Sequence, residues 1–95
     1  MKKKLPIQQS EIKESHIENT YDILAQYKKL GLKIAYYRKQ KGLTQLELAE
    51  AINISRTYIS NIEAPKSNVN PTLEVILNIA TTLDVPVYKL FDETL

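Results

Sequence analysis

The chain has no cysteine among its 95 residues. Disulfides, thiolate nucleophiles and cysteine metal sites are excluded together. Histidine occurs once, at His16, so a serine–histidine triad would rest on that residue alone. Its neighbours Glu14, Ser15, Ile17 and Glu18 make a polar stretch, where a solvated imidazole is the expected state. Glycine is confined to Gly31 and Gly42, which leaves no glycine-rich loop to cradle a phosphate. No apolar run approaches the length that crosses a bilayer. Met1 and Lys2 to Lys4 resemble the start of a secretion signal. Pro6, Gln8, Gln9, Ser10 and Glu11 then stand where its apolar segment should be. The expected location is the cytoplasm. Metal-ligand clusters and nucleophile–base pairs are also missing, so an enzyme is not expected and no cofactor is implied.

Charge of one sign is not in great excess either: 13 bases face 11 acids, for a net charge of +2. Its distribution carries more information. Residues 1–27 hold four lysines and four acids, so the whole excess lies in residues 28–95. By itself that is a weak pointer to nucleic acid.

What is present is helical periodicity. From Leu24 onward apolar residues recur three and four apart, and strand-like alternation is almost absent. Ninety-five residues suit one modest core and leave no room for a separate sensor domain. The pattern predicts five short helices after an N-terminal extension. The first runs from about Leu30 to Lys41, with Leu30, Ile34, Tyr37 and Ala35 inward, and stops at Gly42. Thr44 and Glu47 have the spacing of a capping box for the second, whose inner stripe reads Leu46, Ala49 and Ile52 with Leu48 beside it. Asn53, tolerant of positive φ, ends it. Ser55 caps a third helix with Ile59 and Ile62 inward. Thr72 caps a fourth, with Leu73, Ile76, Leu77, Ala80 and Leu83 at helical spacing. Val87 to Phe91 form a last turn. In the extension, Ile12, Ile17, Tyr21 and Leu24 can line one face of an added helix. Gly31 either breaks that helix from the first core helix or only weakens one long helix.

The segment Gln45 to Glu63 carries the functional signal. Two helices of about eight residues are joined by a connection too short for an antiparallel return, so they must cross steeply. Ala49 sits at the expected close approach. Ile54, Ile59 and Ile62 anchor the second helix from behind, which leaves Arg56, Thr57, Ser60 and Asn61 outward. Uncharged hydrogen-bonding groups plus one arginine are what reading base edges requires: Arg can bridge guanine O6 and N7, Asn adenine N6 and N7. A merely solvated helix face would instead mix Glu and Lys in pairs.

From Leu30 to Phe91 the chain resembles the Cro/C1-type (XRE) helix-turn-helix family of phage repressors and bacterial regulators. The resemblance rests on Ile34-x-x-Tyr37-Arg38-x-x-x-Gly42-Leu43-Thr44-Gln45, on Leu48-Ala49, and on Ile54-Ser55-Arg56-x-Tyr58-Ile59-Ser60-x-Ile62-Glu63. Pro71-Thr72-Leu73 and Leu83-Asp84-Val85 also fit. It implies an all-α, five-helix, lambda-repressor-like DNA-binding domain over residues 28–95, with residues 1–27 as an extension. It further implies that Arg56, Thr57 and Asn61 read bases in double-stranded DNA. Gln45, Ser55, Tyr58, Ser60, Lys66 and Asn68 would meet its backbone, Ser55 mainly as a cap. Arg38 and Glu63 match a pair that forms an internal salt bridge in the family. The chain departs from the pattern at Asn53, where the family has glycine, and at Ala64-Pro65-Lys66 after the recognition helix.

Family members generally bind as symmetric dimers, and the implied pairing surface is the last turn: Val87, Tyr88, Leu90 and Phe91. Leu90 and Phe91 could equally close the core. The resemblance thus implies a sequence-specific transcriptional regulator, most simply a repressor, acting as a homodimer. The rival reading is an antitoxin-like interaction module, whose extension holds a protein partner while DNA binding serves autoregulation. Lys2, Lys3 and Lys4 are a solvated tail or extra DNA contacts.

Overall fold

The computed structural model describes residues 9–66 and 70–92, with side chains from Ile23 onward. Over those residues the chain forms four α-helices and a closing 3-10 helix: α1 (Gln9–Gln40), α2 (Gln45–Ala51), α3 (Arg56–Glu63), α4 (Leu73–Leu83) and the 3-10 turn Val87–Phe91. The all-α class stands. The first helix, however, does not begin near Leu30. It runs unbroken through Gly31 for 32 residues, roughly 48 Å at 1.5 Å per residue, so the glycine does not end a helix.

Gly31 serves packing instead. A β-carbon built there would lie 2.4 Å from the Ile62 carbonyl oxygen and 2.6 Å from that of Glu63. The C-terminal end of α3 therefore rests on bare α1 backbone, a distance no side chain allows. Around this crossing the core gathers Leu30, Ile34, Leu48, Ala49, Ile59, Ile62, Ile76, Ile79, Ala80, Leu83 and Leu90.

The caps are local and explicit. Thr44 and Glu47 exchange both bonds of a capping box, at 2.8 and 3.0 Å. Ser55 Oγ accepts from the Tyr58 N–H, and Thr72 Oγ1 from that of Val75. At the other ends, Gly42, Asn53 and Asp84 all adopt positive φ, at 79°, 61° and 60°. Each is followed by a residue whose N–H reaches five back: Leu43 to Arg38, Ile54 to Ala49, Val85 to Ala80. One stop geometry thus serves three helices, using glycine once and the short polar residues that best tolerate this region twice.

Three apolar residues expected inward are exposed: Leu46, Leu73 and Leu77. The core is reached instead by Leu48 and Ile79, both fully buried. On helices of seven and eleven residues, spacing alone admits more than one apolar face. Leu73 and Leu77 lie roughly 120° and 160° round α4 from Ile79, and the crossing partners select the Ile79 side.

Gly31→Ala discriminates between the packing role and an ordinary helical glycine. The added methyl should lower unfolding free energy by about 1–3 kcal/mol, read as a lower midpoint in urea by circular dichroism. An open helical site would give the opposite sign, a gain of up to about 1 kcal/mol.

Candidate nucleic-acid interface

The α2–α3 unit is positioned by what lies beneath it. Leu48 and Ala49 from α2, and Ile59 and Ile62 from α3, are buried, while residues 52–55 turn the chain between the helices. With its isoleucines inward, α3 must present the opposite side to solvent. Ser55, Arg56, Thr57 and Asn61 are exposed there, and Tyr58 and Ser60 are half-buried. No acid stands in the first turn of α3. Its one carboxylate, Glu63, is buried. The outward face is therefore polar, acid-free and headed by one cation. Lys66 follows, exposed, in the loop after α3; Asn68 lies outside the described residues.

Glu63 accepts from three nitrogens on two side chains. Arg38 of α1 grips it in bidentate fashion, Nε donating to Oε2 at 2.6 Å and Nη2 to Oε1 at 3.0 Å. The third guanidinium nitrogen, Nη1, donates to the Leu43 carbonyl at 2.8 Å. Both side chains are nearly sealed from water, at 9% and 6% exposure, so planar, paired geometry is required to offset their desolvation. Gln45, opening α2, adds a third donor: its Nε2 lies 3.0 Å from Glu63 Oε1. The same amide receives Arg56 on its other side, Nη1 to Oε1 at 3.2 Å. A continuous polar chain thus runs from the α1–α2 turn, through the buried pair, to the outermost arginine of α3. The family resemblance implied the Arg38–Glu63 pair, but the roles assigned from sequence did not include the links of Gln45 to Glu63 and to Arg56. No spacing rule connects residues on three helices, so only their crossing brings them together.

In the last turn Leu90 is 1% exposed and belongs to the core of this chain. Of the two readings left open for Leu90, closing the core is the one its burial supports. Val87 is half-buried, whereas Tyr88 and Phe91 are exposed. Among the described residues, no three acidic, histidine or cysteine side chains converge as a metal site. No helix among them is long and apolar enough to cross a membrane.

Two short helices crossing over a tight turn, the second with an anchored back and an acid-free polar front, define a helix-turn-helix protein. The family described as Helix-turn-helix matches residues 34–90, and the chain belongs to that family, in its Cro/C1 type. It is 38% identical over 64 residues to the HTH-type transcriptional regulator SinR of Bacillus subtilis (strain 168), a match covering 67% of this chain and 57% of that protein. The Immunity repressor protein of Bacillus phage phi105 is 36% identical over 64 residues, 67% of this chain and 43% of the repressor. The chain thus spans about half the length of these relatives. Among solved structures, the restriction-modification controller protein C.AhdI from Aeromonas hydrophila aligns with a TM-score of 0.65 at 34% identity, covering 70% of this chain and 98% of that one. A structure of SinR in complex with DNA aligns at 0.59 and 36% identity, covering 66% and 98% respectively.

Removing one member of the buried pair leaves the other charged and unpartnered. Arg38→Met should therefore lower unfolding free energy by about 3–5 kcal/mol, measured by urea denaturation. The double replacement Arg38→Met with Glu63→Leu should recover most of that loss, because no stranded charge remains. Equal destabilisation by single and double variants would contradict this account of the pair.

Proposed function

We propose that this protein is a transcriptional regulator that binds double-stranded DNA sequence-specifically and represses by occupying its site. The observation that carries the reading is the exposed, acid-free face of α3 with Arg56, Thr57 and Asn61 on one side and buried isoleucines on the other. Such a helix fits a major groove, where arginine and asparagine have the geometry to read guanine and adenine edges. Membership of the family and similarity to a regulator crystallised with DNA support it.

In this reading Gln45 and the N-terminus of α2 meet a phosphate, and Ser55, Tyr58 and Ser60 flank the groove at the backbone. Lys66 and Asn68 meet the next stretch of phosphates. Residues 28–95 act as the DNA-binding domain and residues 1–27 as its extension, where a protein partner would dock. The protein works in the cytoplasm. Two copies pair so that their α3 helices address half-sites about 34 Å apart. Tyr88 and Phe91, exposed on the last turn with Val87 partly so, supply apolar area for that pairing.

Selection of bound duplexes from a random pool, followed by fluorescence anisotropy on the selected site, tests the reading. Arg56→Ala should relax preference at one base position and cost about 1–3 kcal/mol there, and Asn61→Ala should do the same at another. Lys66→Ala should weaken all duplexes alike and lower the slope of log affinity against log salt by about 1. If Arg56→Ala and Asn61→Ala discriminate among duplexes as the unmodified protein does, α3 is not the reading element.

A further inference from the structure

An arginine that reads a base works better when it is already held in the required pose, because ordering a long side chain on binding costs affinity. Arg56 is exposed, yet its guanidinium is bound to Gln45 at 3.2 Å. What holds Gln45 is therefore decisive. Its amide stands between two groups of opposite character: the Glu63 carboxylate, which only accepts, and the Arg56 guanidinium, which only donates. One orientation satisfies both, with Nε2 toward Glu63 at 3.0 Å and Oε1 toward Arg56. The flipped amide would set oxygen against carboxylate and NH2 against guanidinium, two repulsive contacts in place of two bonds. Glu63 cannot turn away, since Arg38 grips both its oxygens and is itself fixed to the Leu43 carbonyl. The second Nε2 proton of Gln45 stays available for a phosphate.

We infer that Glu63 is a positioning residue for sequence reading: its carboxylate orients the Gln45 amide, and Gln45 holds Arg56 ready for its base. The buried ion pair then sets base preference as well as helix register. This rests on the reading of Arg56 as a base-contacting residue, and the controls keep the two ideas separable.

The measured quantity is the ratio of affinities for the selected duplex and for the same duplex changed at the base pair assigned to Arg56. All measurements use folded protein at one salt concentration. A purely structural role would scale both affinities together and leave the ratio alone. Arg38→Met with Glu63→Leu removes the carboxylate without stranding a charge, and Gln45→Met removes the relay while leaving the ion pair intact. Both should lower the ratio about tenfold, and neither should lower it further in an Arg56→Ala background. A wild-type ratio in the folded double variant, with Arg56→Ala reducing it, overturns the positioning role alone. An unchanged ratio in Arg56→Ala overturns the base-reading assignment and this inference with it.

If the double variant does not fold, side-chain NMR of the unmodified free protein decides. One Gln45 Nε2 proton should exchange with water at least tenfold more slowly than those of exposed Gln26, as a bond to a buried carboxylate requires. Equal exchange rates would overturn the inference.

Discussion

The meeting of the C-terminal end of α3 with the C-terminal half of α1 is the constraint from which the rest of this architecture follows. Two carbonyls of α3 lie on Gly31 with no side chain between. About two helical turns further along α1, Arg38 takes hold of Glu63. The first contact fixes how closely the helices approach, and the second fixes rotation and register. A buried pair of this kind is a poor source of net stability, because desolvating two ions consumes most of what their attraction returns. Its geometric demands are strict, however, since a planar fork must meet a planar carboxylate. Glu63 is the last residue of α3, so clamping it aims the whole helix.

With its end clamped and Ile59 and Ile62 buried, α3 has one face left for solvent. That face reads as a recognition surface because of what is missing from it. The helix has a single acid, and that acid is turned inward and neutralised, so nothing on the front opposes phosphate. The residue that stabilises the helix crossing is thereby the one that would be most damaging if exposed. Placing it beneath the surface also puts it within reach of Gln45, linking the interior to the outermost arginine.

Local stops and starts were legible in the amino-acid sequence. Thr44, Ser55 and Thr72 cap the helices they precede, because a cap needs only a side-chain oxygen and an N–H two or three residues on. Gly42, Asn53 and Asp84 end helices for an equally local reason, the short list of residues that accept positive φ. Less legible was which side of a short helix turns inward. Leu46, Leu73 and Leu77 are as apolar as Leu48 and Ile79, and only the neighbours differ. The unbroken course of α1 was likewise open, since glycine in a helix costs little enough that packing settles the outcome. For the surface, residue chemistry singled out Arg56, Thr57 and Asn61, and family resemblance added Arg38 with Glu63. Neither could join those two groups.

The chain by itself determined the helical class, the order of elements, their caps and the polar character of the segment opening at Ser55. These depend on interactions spanning five residues or fewer, which a linear pattern records. Tertiary structure decided the role of Gly31, that Leu90 closes the core, and the line of bonds from the Arg38–Glu63 pair through Gln45 to Arg56. Those partners come from separate helices, and their distances are set by crossing angles that no run of residues encodes on its own.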